Sequence, residues 1–441
     1  MKKSLYKILL ACSLLFAPAV QAEETKLVAP RDIVWNEYLG LNAQFLWFTP
    51  EQYAKQMEYL KALGLSWVRV DIHWNIHEPE QGKYFLTPID TLAQKMEQQH
   101  LKSVFVVGGS PAFASSAPFY ASNKDQYPPK SYDTFAGFMS MMAKRYPVVN
   151  AWQVWNEPNL PAFWQPKEDP VEYSKMLFVT TNELKRTVPD KTIVMAGMAY
   201  YSQMPYRGGF MLWDMASLGA LNIGAITDYH PYSQMPEGDD VSQLDFVVRC
   251  REINRLLRNI NVPGIWATEW GWSSYAGPIE EQAIVGESGQ ADFTLRRLAL
   301  ISALDFDKTF LFTLSDLDAR AGARDQHYGL LDLNGKPKPV YYALKRFLAI
   351  TGPRLSPITP PSLKNATTDV ISLAWKKPDG TKLWMLWTSK STPVNVTLAN
   401  PAEITKGTLK NPLKNTAVTL SADKNGLAIP LTSELQILEW K

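Results

Sequence analysis

The feature that most constrains this chain is an alternation of element types. Between about residues 35 and 350, short apolar runs alternate with amphipathic stretches, in roughly eight units of about 40 residues. Runs at 67–70, 103–107, 151–154, 193–196, 265–268 and 309–314 read as buried strands. The stretches between them carry helix starts. Thr49-Pro50-Glu51-Gln52 is a capping box with Pro at the first helical position, and Gly64 stops that helix. Asp169-Pro170-Val171-Glu172 repeats the start, and Thr87-Pro88 and Asp240 open two more. Buried parallel strands alternating with helices predict an α/β chain, and the count predicts a (β/α)8 TIM barrel. No Gly-rich phosphate loop follows any strand, which argues against a doubly wound sheet.

The pattern changes at Gly352-Pro353. Beyond it, 370–375, 382–387 and 394–398 alternate in strand fashion around the turn Pro378-Asp379-Gly380. Residues 353–441 are expected to form a small C-terminal β-sandwich domain packed on the barrel of residues 23–352.

Residues 1–22 read as an export signal. Lys2, Lys3 and Lys7 precede an apolar stretch from 8 to 20, and Val20-Gln21-Ala22 has the small-x-small pattern of a cleavage site. The stretch is too short for a spanning helix. Leu10-Ala11-Cys12 is a fainter match to a lipidation site. A periplasmic or secreted protein is expected, with no membrane span in the mature chain. The signal holds three of the 45 basic residues and none of the 43 acids, so the formal +2 becomes −1 on cleavage. That balance gives no reason to expect nucleic acid. Of the two cysteines only Cys250 remains, so an internal disulfide is impossible.

Function in such a barrel gathers where strands end at their C-termini. Glu157, in Trp155-Asn156-Glu157-Pro158, closes the fourth strand. Glu269, in Thr268-Glu269-Trp270-Gly271, closes the seventh, 112 residues on. Two carboxyls facing each other across a cleft can hydrolyse a glycosidic bond, one protonating the leaving oxygen and the other attacking or activating water. Trp is abundant, with 15 copies, and its rings both exclude water and stack on sugars. Taken singly, either Glu reads equally as a solvated rim residue or a structural ion pair.

These motifs resemble clan A retaining glycoside hydrolases. Asn156-Glu157-Pro158 is similar to the clan's acid/base motif, and Thr268-Glu269-Trp270-Gly271 to its strand-seven nucleophile motif. Val68-Arg69-Val70-Asp71, with Trp74, Glu78-Pro79 and Gly82, is similar to the strand-two region of family 39. Asp228-Tyr229-His230-Pro231-Tyr232 is similar to its strand-six ending, and Tyr328-Gly329-Leu330 with Lys338-Pro339 to its approach to the last helix. The Psl-type exopolysaccharide glycosidases fall within this resemblance. It implies Glu157 as acid/base and Glu269 as nucleophile, in a double displacement that retains configuration. It also implies that Asn156 bonds the sugar 2-hydroxyl and that Arg69 keeps Glu269 ionised. His230 or Tyr232 would contact Glu269 or the sugar. Without the resemblance, Arg69 reads as an ion pair with Asp71, and His230 as a core histidine. Many clan members end the last strand on a sugar-stacking Trp. Here the expected segment is Leu314-Ser315-Asp316-Leu317.

Trp47, Phe48, Trp74, Phe163, Trp164, Trp270 and Trp272 are candidates for sugar contact, with Trp164 the first choice; each reads equally as core. Glu237, Asp239 and Asp240 read as a solvated loop and a helix cap. No metal or other cofactor is expected: His73 and His77 have helical spacing but no His-Glu-x-x-His frame. No Gly-x-Ser-x-Gly elbow is present. The leading expectation is a monomeric, endo-acting hydrolase of a β-linked polysaccharide such as a bacterial exopolysaccharide, with synthesis or export machinery as a partner. The alternatives are an exo-acting β-glycosidase resembling a β-xylosidase, and a non-catalytic glycan-binding or assembly protein.

Overall fold

The computed structural model describes residues 24–201, 211–242, 244–278 and 282–441. Residues 1–22, expected to be an export signal, lie outside the described residues. No described helix is long and apolar enough to cross a membrane.

Eight parallel strands close into a barrel. They are Leu39–Asn42, Trp67–His73, Lys102–Gly108, Ala151–Val154, a split fifth strand, Thr227–Tyr232, Ile265–Ala267 and Lys308–Leu311. The fifth strand is split by Ala196 and Gly197. Its first half, Thr192–Met195, pairs with the fourth strand, and its second half, Met198–Tyr201, pairs with the sixth. Backbone bonds between Ile193, Met195 and Ile226 complete the closure. A helix follows every strand, from Pro50–Ala62 after the first to Pro339–Thr351 after the eighth.

Local chemistry sets several helix starts. Thr49 and Gln52 form both halves of the capping box, and Asp169 accepts from Val171 and Glu172. The helix expected at Thr87-Pro88 does begin at Thr87, with Leu86 in the cap position, whereas one expected start differs. Asp240 sits five residues before its helix, which begins at Asp245; its carboxylate instead closes a turn on Ser242.

Strand parity divides the barrel. Val68, Val70 and Ile72 point outward to the helices, while Trp67, Arg69 and Asp71 alternate with them. The base of the barrel is a separate apolar layer of Trp67, Val104, Ala151, Val194, Trp266 and Phe310. Above it lies a polar layer containing Asn42, Arg69, Gln153, Asp228 and Thr268, all buried.

Beyond Gly352 every strand except one pairing is antiparallel. One sheet runs through Arg354–Ile358, Val370–Lys376, Lys382–Thr388, Gln436–Trp440, Lys406–Asn411 and Thr416–Ser421; a smaller one has Leu363–Lys364, Val394–Leu398 and Ala428–Leu431. Alternation decides what each face covers. Val370, Ala374, Trp384 and Leu386 face the small sheet, making a sandwich core. Ile371, Leu373, Trp375, Met385 and Trp387 join the core of the barrel. The boundary at residue 353 is not clean, because the N-terminal segment belongs to this sheet. Thr25–Leu27 pairs in parallel with Val370–Lys376, and Ile33–Val34 pairs with Arg354–Ile358.

Candidate active site

The fourth strand ends in two left-handed residues, Trp155 (φ 74°) and Glu157 (φ 39°). Such conformations are costly for side-chain-bearing residues and gather at functional sites. They break strand parity: Trp155 turns into the core against Phe135 and Trp164, and Asn156 lines a pocket at the barrel mouth. The Glu157 amide bonds the carbonyl of Gly197, in the break of the fifth strand. Gly197 is required there, since a Cβ would stand 1.9 Å from His230 Nε2.

Glu157 and Glu269 face each other. One oxygen of each carboxyl and a nitrogen of His230 all lie within 4.8 Å of one another. His230 Nδ1 is 2.7 Å from Glu157 Oε1 and 4.0 Å from Glu269. Tyr232 donates to Glu269 Oε1 at 2.9 Å, and Arg69 Nη1 donates to Glu269 Oε2 at 3.1 Å. Arg69 also holds Asn42, Gln153 and Asn156, at 2.7–2.8 Å. Its distance to Asp71 is longer, 3.9 Å, and Asp71 is held by Gln44 instead. Arg69 is thus the hub of a buried network, and Glu269 is its nearest charge. The Glu157, His230 and Glu269 atoms are close enough to share an ion. Both His230 nitrogens are already engaged, however, and Arg69 supplies positive charge at Glu269.

Burial pushes the Glu269 carboxyl up to about 7, and the Arg69 guanidinium pulls against it. Arg69 favours the Glu269 anion, and the cost of desolvation opposes it. Burial also lowers His230 below the ordinary histidine value and raises Asp228.

Most of the candidate tryptophans are core. Thirteen of the 15 are buried. Trp74 stacks on Phe138, and Trp164 packs edge-on against Trp155 and Tyr173. Trp270 and Trp272 anchor their indole N–H groups on Thr309 and the Gln234 carbonyl. These four are at most 2% exposed, leaving little ring surface for a sugar. Trp47 is half-buried beneath the Arg320 guanidinium. The aromatic nearest the last strand's end was missed. The strand stops at Leu311, three residues earlier than expected, and is followed by Phe312, partly exposed and packed on Tyr328. Parity with the inward-facing Phe310 is the signal that finds it.

A pocket of about 240 Å³ opens beside Asn156, with Asp71, His73, Asp125, Gln126 and Phe163 among its lining. His73 and His77 do not pair: His77 bonds the Phe85 carbonyl instead. Glu237, expected in solvent, is fully buried. Arg296 grips both its oxygens at 2.7 Å, and Trp387 Nε1 donates to it from the β domain at 2.7 Å.

The (β/α)8 barrel joined to a β-sandwich is a fold shared with solved glycoside hydrolases. A family 39 glycoside hydrolase from the gut symbiont Bacteroides cellulosilyticus WH2 matches with a TM-score of 0.72 at 19% identity, over 93% of this chain and 82% of that one. A family 30 endoxylanase from Clostridium papyrosolvens C71 matches with a TM-score of 0.59 at 11% identity, over 95% and 97%. The endo-β1,6-glucanase BT3312 matches with a TM-score of 0.58 at 12% identity, over 95% and 93%. No family model and no curated protein matches the chain.

Proposed function

We propose that this protein is a retaining glycoside hydrolase acting within β-linked polysaccharide chains. The carrying observation is the carboxyl pair. Glu157 and Glu269 have oxygens within 4.8 Å, which suits the short separation of retaining enzymes, about 5–5.5 Å, and not the wider gap that admits a water. Their surroundings differ in the sense the reaction needs. Glu269 accepts from a guanidinium and a phenol, groups that stabilise its anion as nucleophile. Glu157 meets a buried imidazole and serves as acid, then base.

In this reading Glu269 attacks the anomeric carbon while Glu157 protonates the leaving oxygen. Water then enters, gives its proton to Glu157 and releases Glu269. Phe312 supplies the apolar floor beside the reacting sugar, and Asn156, oriented by Arg69, contacts it. The lateral pocket takes a second ring, and this room beyond the catalytic pair supports endo action. Two of the structural neighbours are named as endo enzymes. Asp71 and Asp125 line that pocket with no Lys or Arg among its lining residues, which favours neutral or amino sugars over uronates.

The test is a screen of bacterial exopolysaccharides and plant β-glycans, with product stereochemistry followed by NMR. Retained configuration and internal cleavage are expected, and inversion would overturn the assignment. E157Q and E269Q should each lower kcat at least 1000-fold, about 4 kcal/mol, with unchanged circular dichroism.

A further inference from the structure

A chain of buried groups runs behind Glu157. Gln153 comes first. Its Oε1 accepts from Arg69 Nε at 2.8 Å, so its Nε2 is the donor that meets Asp228 Oδ2 at 2.6 Å. The Thr268 amide donates to Asp228 Oδ1 at 2.9 Å, and the Thr268 hydroxyl donates to Oδ2. Donors thus engage both oxygens of Asp228, the pattern of a carboxylate that accepts only.

The next link follows by elimination. The Thr268 hydroxyl has spent its proton on Asp228, so towards His230 Nε2, 3.0 Å away, it can only accept. His230 Nε2 therefore carries a hydrogen. The ring is fully buried, and burial disfavours its charged form. A neutral ring protonated on Nε2 presents a bare lone pair at Nδ1. That lone pair lies 2.7 Å from Glu157 Oε1.

We propose that Asp228 and Thr268 lock His230 in its Nε2–H tautomer, and that the Nδ1 lone pair thereby requires Glu157 to hold a proton when substrate arrives. The proposal rests on Glu157 as the general acid and adds two positioning residues to it. Proton bookkeeping is simple. Glu157 gives its proton to the leaving oxygen and faces the lone pair as an anion. That juxtaposition is unfavourable, so Glu157 is a stronger base for the incoming water, whose proton restores the starting state. The other charged groups around the ring are Glu269, Asp228, Arg69 and Asp71. A protonated Asp228 would reverse the chain: Thr268 would donate to Nε2 and His230 Nδ1–H to a Glu157 anion.

Imidazole 15N NMR distinguishes these states without turnover. The chain has five histidines, and H230N identifies the His230 signals. At pH 7 the full-length protein should show the Nε2–H tautomer. An Nδ1–H tautomer or an imidazolium overturns the proposal, whether or not any glycan is cleaved. T268V removes the hydroxyl and should shift His230 towards Nδ1–H, with the basic limb of kcat/KM moving down by about one pH unit. T268S keeps the hydroxyl and should restore both. A T268V protein with wild-type tautomer and wild-type pH profile also overturns it. Should T268V fail to fold, the wild-type tautomer still decides.

Discussion

At the scale of single residues, the site combines a favourable pairing with a desolvation cost. Glu269 touches a guanidinium and a phenol, yet its proton affinity rises because its side chain is only 15% exposed. Two consequences follow. The acid limb of kcat/KM, which reports the free enzyme, should lie near pH 7. Stability should also depend on this group. The unfolded chain releases the proton near 4.5, while the folded chain keeps it to about 7. Stability therefore falls as pH rises between those values, and the cost is fully present above them. E269Q removes the charge, so it should melt roughly 2–4 °C above wild type at pH 8 and together with it at pH 4. Differential scanning calorimetry at the two pH values checks this. A wild-type-like Tm at pH 8 would count against the buried charge as the cause.

At the scale of elements, placement of the acid/base candidate depends on irregular backbone. The fifth strand breaks at Ala196-Gly197, and the fourth ends in left-handed residues; the two irregularities are bonded to each other through Glu157 N and Gly197 O. G197A should be poorly tolerated. Its methyl would displace the His230 ring, and overpacking of this kind costs about 1–3 kcal/mol. Turnover should fall by more than the stability loss explains, because the ring contacts Glu157. Kinetics at a temperature well below the variant's Tm separate the two effects. Much at this scale was legible in the sequence. Three helix starts, one helix stop and the apolar strands follow from local capping and periodicity. Phe312 was not, because a strand end shifted by three residues changes which aromatic directly follows the strand. Asp240 failed as a cap for a related reason. A short polar side chain closes whichever turn is nearest, and here that turn precedes the helix.

At the scale of the whole molecule, the β domain is joined to the face that carries the carboxyl pair. Glu237 follows the sixth strand, which carries His230 and Tyr232, and it is shared by Arg296 and by Trp387 of the β domain. Arg297 braces the same loop through the oxygens of Pro231, Ser233, Met235 and Pro236. Trp387 belongs to the barrel's own apolar core. Barrel and sandwich should therefore unfold in one transition. E237A would leave the buried Arg296 with Asp292 alone as its acidic partner and lose the Trp387 bond, and breaking a buried pair costs about 3–5 kcal/mol. A single, lower melting transition is expected by calorimetry. Two separate transitions in the wild type would show that the domains are not energetically coupled.

The sequence by itself determined the alternation of strand and helix, the switch to β structure after Gly352 and the two glutamates at strand ends. These are local properties, written in periodicity, caps and short motifs. Only the tertiary structure decided what each polar or aromatic residue does once buried. It turned most tryptophans into core, drew Glu237 out of solvent and made the N-terminal strands part of the distant sandwich. It also set Arg69, Gln153, Asp228, Thr268 and His230 in one network. Burial and hydrogen-bond partners depend on residues far apart in the chain, and closing the barrel is what brings strands two, four, six and seven to a common mouth.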